Sequence, residues 1–184
     1  MKMEKYSVLF LLLLLFFSSC NEVSFKEPQP AGVSALHSIP EKLQGWYLAS
    51  DNTDKEDSDT LIIESWGYHF KDKHDKDWLG RGTLSDSLVI KFYRDYYFLN
   101  FRSGDQWILR LVKQKPTGNL LFMSIDLGDD AKRKEMIRKM SRKFNVSEVK
   151  QESDTFYQIS PSKDQLMQLI KDGYFTGVEL RKLK

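Results

Sequence analysis

Three segments of the chain carry residue types that can perform chemistry, and the first is an acidic run at residues 51–59. Clustered carboxylates bind calcium, and an EF-hand loop also requires glycine at its sixth position. Counted from Asp51, the sixth residue is Glu56, so the motif is not met. We therefore interpret this run as a solvated loop between two strands and not as a metal site.

The second segment, residues 71–82, places three aspartates around His74. Carboxylates and imidazole together bind transition metals or transfer protons. Here they alternate with three lysines, and alternating charge in a polar segment is typical of an exposed loop. His69, between Tyr68 and Phe70, is better explained as a histidine at the edge of the core. We predict no metal site and no catalytic residue in either segment.

No other pattern in the sequence indicates an enzyme or a nucleic-acid-binding protein. A nucleophile elbow and a glycine-rich phosphate loop are both missing from it. The formal net charge is +2, whereas nucleic-acid binding usually requires a strongly basic face. One cysteine and three histidines do not make a cysteine-rich zinc site. We therefore expect a non-enzymatic protein without a metal or a bound cofactor, and without nucleic acid as a partner.

The third segment is the N-terminus, which ends in the only cysteine of the chain, Cys20. Lys2 and Lys5 precede an unbroken apolar run at residues 8–17, and two serines separate that run from the cysteine. A helix that spans a bilayer needs about 20 apolar residues, so this run is too short to span. A charged start, a short apolar run and small residues are the pattern of a secretory signal peptide.

The tetrapeptide FSSC at residues 17–20 resembles the lipobox of bacterial lipoproteins. The resemblance implies that residues 1–19 are a signal peptide, that cleavage follows it, and that lipid is attached covalently to Cys20. Acyl chains bind membranes with about 0.8 kcal/mol per buried CH₂, and two or more chains bind stably. By resemblance, Asn21 after the cysteine favours the outer membrane. The expected location is therefore the cell envelope, with the leaflet left open.

Residues 20–40 are predicted to be the lipidated N-terminus and a tether. Pro28, Pro30 and Gly32 interrupt any periodicity in this stretch, which is typical of a linker. At about 3.3 Å per residue, twenty residues reach about 65 Å. We therefore expect a single globular domain at residues 41–184 that is held at a distance from the lipid.

The domain is predicted to belong to the α+β class, with an antiparallel curled sheet or partial barrel and two packed helices. Four β-rich runs follow one another at 87–93, 96–102, 106–114 and 119–126, joined by two to four residues. Connections this short force antiparallel hairpins, so the four runs form a meander. Further strands are predicted at 45–50, 60–64, 68–70, 155–159 and 178–183.

Both faces of the predicted meander are largely apolar. Alternation places Leu109 and Leu111 of the third run on one face. Ile108, Arg110 and Val112 fall on the opposite face. A sheet with one wet face alternates more cleanly between apolar and polar residues. We therefore expect one face to lie inside the curl of the sheet and the other to be covered by helices.

Two helices are predicted as that cover. Asp129 or Asp130 can cap a helix at residues 131–144, whose apolar residues fall on one stripe. A capping box that begins at Ser162 opens the second helix, and Gly173 ends it.

The first predicted helix has a strongly basic outer face. Such a face is most simply a solvated surface, but a basic helix can also lie on anionic lipid headgroups or bind an acidic partner. The hypothetical membrane or partner surface, here called the basic helix surface, consists of Lys132, Arg133, Lys134, Arg138, Lys139, Arg142 and Lys143.

The start of the domain, with Leu43, Gly45 and Tyr47 at alternate positions, resembles lipocalin-like lipoproteins. The whole chain resembles small uncharacterised lipoproteins of the Bacteroidota. We predict a non-catalytic binding or accessory module whose partner is an apolar ligand or an envelope protein. An envelope enzyme with an unrecognised active site is the alternative. A cavity of several hundred Å³ inside the sheet would favour ligand binding. A filled interior would favour an interaction module. Buried carboxylates or histidines in a cleft would favour an enzyme.

Overall fold

The structure is a computed structural model that describes residues 21–49, 60–71, 80–152 and 154–183. The strands are β1 Asn21–Phe25, β2 Gly45–Ala49, β3 Thr60–Glu64, β4 Gly67–Phe70, β5 Arg81–Thr83, β6 Leu88–Tyr93, β7 Tyr96–Ser103, β8 Gln106–Gln114, β9 Leu120–Ser124, β10 Ser147–Gln151, β11 Asp154–Ile159 and β12 Thr176–Lys182. The helices are α1 Asp130–Ser141 and α2 Lys163–Lys171, with a 3-10 turn at Glu41–Leu43.

The strands form one open sheet. Its main path runs β10-β11-β1-β8-β9-β12-β2-β3-β4-β5, and β7 joins β6 to the remaining edge of β8. β1 runs parallel to β11, whereas the other pairs of described strands are antiparallel. The α+β class, the two helices and the β6–β9 meander are therefore confirmed. The prediction of an antiparallel sheet is not met throughout. The sheet is mixed, because β1 lies between β8 and β11 and runs parallel to β11.

One edge of β8 is divided between two partners. Ser24 of β1 lies opposite Ile108, near the start of β8, while Met123 of β9 lies opposite Leu111, further along the strand. The other edge of β8 pairs with β7 from Gln106 to Val112. The sheet therefore forks at β8 into a short wing, β1-β11-β10, and a long wing from β9 to β5.

The two helices cover one face of β8. Leu109 and Leu111 pack in one cluster with Met140 of α1 and with Leu166 and Leu169 of α2. Leu111 and all three helical residues are at most 1% exposed. This face assignment is the one that the alternation predicts, because residues two apart on a strand share a face.

Strands of the long wing cover the opposite face of the meander. Val112 and Tyr97 pack with Tyr47 of β2, and Ile108 packs with Tyr68 of β4. β2 and β4 therefore lie over β6, β7 and β8, and the sheet buries part of its own surface.

The helix ends follow the predicted capping residues. The side chain of Asp129 accepts a hydrogen bond from the Lys132 amide at 2.9 Å, which begins α1. Ser162 forms the complete capping box of α2 with Gln165. Gly173, with φ +75°, follows the last turn of α2 in the left-handed conformation that glycine adopts most easily.

The prediction of a tether at residues 20–40 is wrong for the residues that the structure describes. Residues 21–25 are a strand inside the sheet, and Val23 and Phe25 are 3% and 1% exposed. Ile39 is also buried, and its amide donates to the Ser65 carbonyl at 2.8 Å. The alternation of Val23 and Phe25 drives this strand into the core, and the prolines that suggested a linker come after it. The domain boundary predicted at residue 41 therefore falls inside the fold.

Replacing Phe25 by alanine tests this placement. We expect Phe25→Ala to lower the free energy of unfolding by about 3–5 kcal/mol, because it removes a buried ring from a packed core. The matched control is Phe92→Ala, since Phe92 is 41% exposed and its loss should cost about 1 kcal/mol. Equilibrium unfolding in urea measures both. If both variants lowered the free energy of unfolding by the same small amount, the prediction of a tether would be supported instead.

Candidate functional site

The residue that follows Cys20 is held in the sheet from the first position of β1. Asn21 pairs with Thr155 of β11. The next residue, Glu22, forms a two-point ion pair with Arg110 of β8, at 2.6 Å from Oε1 to Nη2 and 3.2 Å from Oε2 to Nη1. The Arg110 and Glu22 side chains are 10% and 15% exposed. A buried bidentate pair fixes both position and orientation, so β1 is locked to β8 at its start.

A second polar contact ties the far end of β1 to the same neighbours. The Ser24 hydroxyl donates to Gln106 Oε1 at 2.9 Å. Gln158 of β11 donates to that same oxygen through Nε2 at 2.6 Å. Because β8, β1 and β11 each contribute one side chain, the register of all three strands is fixed at this point.

The chain that follows β1 is also fixed by buried polar groups. Asn100, fully buried on β7, accepts from the Gln29 amide at 2.6 Å and donates to the Gln29 carbonyl at 2.8 Å. Lys91 Nζ donates to the carbonyls of Pro28 and Pro30 at 2.6 and 3.0 Å. Burial of this ammonium lowers the pKa of Lys91. These four bonds satisfy backbone groups that a linker would leave to solvent.

A surface cavity of about 310 Å³ opens beside the start of β1. Its walls are the first two residues of β1 and residues 124–128, which connect β9 to α1. Asp126 in this connection pairs with Lys132 of α1 at 2.7 Å and accepts from the Gly128 amide at 2.9 Å. The hydrogen bond from Lys132, and then that from Gly128, hold the pKa of Asp126 below its usual value. We call Asn21, residues 124–128 and Lys132 together the β1 rim.

A second cavity, of about 240 Å³, lies at the other end of β1. It is lined by Lys26, directly after β1, and by Lys143 and Phe144, two and three residues after the end of α1. Gln158 and Gln165 also contribute to its walls. α1 therefore runs alongside β1, from the β1 rim to this second cavity.

The residues of the basic helix surface lie on α1 and directly after it, and six of the seven are exposed. Four of the seven form ion pairs with carboxylates that lower the net positive charge of the surface: Lys132 with Asp126, Arg133 with Asp130, Lys139 with Glu135 and Lys143 with Asp172. Among the described residues, no carboxylate lies within salt-bridge distance of Lys134, Arg138 or Arg142. The hypothesis of a membrane or partner surface stays a prediction.

Aromatic side chains are buried in the interior between the two layers of the sheet. Tyr47 is completely buried and donates to the Leu43 carbonyl at 2.9 Å. Tyr97 and Phe101 are 3% and 7% exposed. Burial raises the pKa of Tyr47 and of Tyr68 to about 12. Both cavities described above open on the surface and have no wall in common with this interior.

A group of exposed and half-buried aromatic and charged side chains lies on the surface of the long wing. Trp46 and Trp66 are 41% and 37% exposed. Trp66 stacks on His69 with ring centroids 6.0 Å apart, and the Arg81 guanidinium lies 5.6 Å from the Trp66 ring centroid. His69 Nδ1 is 3.8 Å from Glu64 Oε2, too far for a hydrogen bond. We call Trp46, Trp66, His69 and Arg81 the tryptophan face.

Several predicted features lie outside the described residues: Cys20, the signal peptide, the acidic run at 51–59 and the aspartates around His74. Within the part of the chain that is described, no group of three or more histidine, cysteine, aspartate or glutamate residues is placed to hold a metal ion. In that same part, no helix is long and apolar enough to cross a membrane.

The Glu22–Arg110 pair and the β1 rim were not found by sequence reasoning. The available signal was Arg110 itself, a charge on an apolar strand face that requires a partner. Its partner lies 88 residues away, in the segment interpreted as a tether.

No protein-family model, curated protein or solved structure matches the chain.

Removing one member of the buried ion pair should destabilise the fold. We expect Glu22→Ala to cost about 3 kcal/mol, because it leaves the Arg110 guanidinium buried and unpaired. The double variant Glu22→Leu with Arg110→Met should recover most of that loss, since no charge is then buried. Urea unfolding provides the measurement.

The exposed pair between Arg94 and Asp164, with side chains 52% and 82% exposed, offers a matched control. Asp164→Ala should change the free energy of unfolding by less than about 1 kcal/mol. If Glu22→Ala lowered the free energy of unfolding as little as Asp164→Ala does, the Glu22–Arg110 pair would not hold β1 in place.

Proposed function

We propose that this chain is a lipid-anchored lipoprotein of the cell envelope, with lipid on Cys20, and that its domain is a non-catalytic binding or accessory module. The observation that carries the proposal is the short apolar run at residues 8–17, followed by two serines and the only cysteine.

The lipid would hold the protein on a membrane without a spanning helix. Diacylglycerol together with an amide-linked acyl chain exceeds the two chains that stable anchoring requires. Asn21 after the cysteine favours the outer membrane by resemblance to bacterial lipoproteins. The membrane is thus one partner of the protein.

For the domain itself, we infer a partial barrel that acts through its surface and not as a lipocalin-like carrier. Tyr47, Tyr97 and Phe101 occupy the interior, and an apolar ligand would have to displace them. Among the described residues, the tryptophan face is the exposed surface best suited to a protein partner, because tryptophan and arginine are enriched at protein interfaces. An envelope protein is therefore the favoured second partner.

Replacing Cys20 tests the anchor. In cells grown with labelled palmitate, we expect Cys20→Ala to abolish labelling and to release the protein from the membrane fraction. Ser19→Ala is the matched control, since it keeps a small residue beside the cysteine, and it should remain labelled. Label retained on Cys20→Ala would refute the lipoprotein proposal.

Purification of the lipidated protein from envelopes in mild detergent tests the function of the domain. We expect mass spectrometry to find a stoichiometric protein partner that is lost in the double variant Trp46→Ser with Trp66→Ser. Val178→Ser should keep the partner, because Val178 is equally exposed, at 43%, but is not part of the tryptophan face. A stoichiometric apolar molecule without any protein would instead support the lipocalin-like function.

A further inference from the structure

We infer that the domain sits directly on the membrane through the β1 rim, with no spacer between the lipid and the fold. The inference rests on the lipidation of Cys20 proposed above and adds the surface and orientation of contact. The partner of this surface is the phospholipid headgroup layer of the bilayer that holds the lipid of Cys20.

The distance between the anchor and the fold follows from the chain itself. Consecutive Cα atoms are about 3.8 Å apart, so the Cα of Cys20 lies within that distance of the Cα of Asn21. Asn21 is paired with Thr155, and Glu22 is held by Arg110 through two bonds. The anchor is therefore attached to a strand that is paired within the sheet, where the sequence alone predicted a tether.

The surface next to the anchor is the β1 rim. Residues 124–128 form the wall of the cavity that Asn21 and Glu22 line. Bilayer dimensions give each headgroup layer a thickness of about 5–8 Å. Asn21 is one residue from the lipid-bearing cysteine, and residues 124–128 line the same cavity as Asn21, which places the rim next to this layer.

The rim can form hydrogen bonds and ion pairs with headgroups. Residues 125–128 belong to no helix or strand. The Lys132–Asp126 pair is about half-exposed, with 49% and 57% of the side chains accessible. Lys134, in the first turns of α1, adds a cation without a carboxylate partner among the described residues.

The orientation also divides the basic helix surface. A helix of twelve residues is about 18 Å long. Because α1 runs from the rim to the second cavity, Lys132 and Lys134 adjoin the headgroups, whereas Arg142 and Lys143 lie about one helix length away. Only the N-terminal part of the basic helix surface therefore contacts the membrane.

Hydrogen exchange of the anchored protein tests this arrangement. The chain of residues 20–184, which contains every described element, is coupled through its single thiol to a maleimide phospholipid in vesicles of phosphatidylethanolamine and phosphatidylglycerol. The reference is the same chain capped with N-ethylmaleimide in solution. We expect several-fold slower exchange for amides 124–134 on the vesicles. The β7–β8 turn, about 17 Å along β8 from Arg110, should exchange equally in both samples.

A linker of twenty glycine and serine residues inserted between Cys20 and Asn21 is the matched control. Such a linker has an end-to-end distance of about 25 Å and should restore the exchange measured in solution. Three results would each overturn the inference. Amides 124–134 could show no slowing of exchange without the linker, or the slowing could persist with the linker. The slowing could also be confined to residues 138–144. Because the lipid is coupled chemically, the exchange result does not depend on lipidation in cells. The palmitate labelling of Cys20 therefore tests the proposed function separately from the contact surface.

Discussion

The division of one edge of β8 between β1 and β9 is the constraint on which the rest of the fold depends. Neighbouring strands lie about 4.8 Å apart, so two strands can share an edge only end to end. β1 takes the part of β8 near Ile108, and β9 takes the part from Leu111 onwards. Each brings its own wing of the sheet, and the long wing lies over the face of the meander that the helices do not cover. A single continuous sheet would leave that apolar face in water.

The fork also explains why a charge is buried at its centre. Arg110 lies between the residues of β8 that pair with β1 and those that pair with β9. Glu22 compensates the guanidinium at this junction and satisfies two of its donors. A buried ion pair is weak support for stability, because desolvation offsets much of its attraction. Its clearer effect is geometric, since another register of β1 on β8 would leave two charges unpaired in the interior.

The meander, the two helices and their caps could be predicted because their signals are local. Short connections set the hairpins, alternation sets the faces, and Ser162 with Gln165 sets the start of α2. β1 could not be predicted in the same way, because its partners lie more than eighty residues away and five residues give little periodicity. β5 and β10 are short and polar, and they form because a neighbouring strand offers an unpaired edge. Of the candidate site, the sequence predicts lipidation of Cys20 but does not indicate the β1 rim, which exists only through contacts between distant segments.

The position of β1 changes what a lipid on Cys20 would do. A tether of twenty residues would let the domain take any orientation within a large volume and would only raise its local concentration. A strand that begins one residue after the cysteine removes most of that freedom, and the entropy of ordering the segment is already part of folding. The buried ion pair, the hydrogen bonds to Gln29 and the contacts of Phe25 then act together to transmit the position of the anchor to the whole sheet. With Cys20 lipidated, the tryptophan face would have one direction relative to the bilayer, so a partner in the same membrane would meet it in a single orientation.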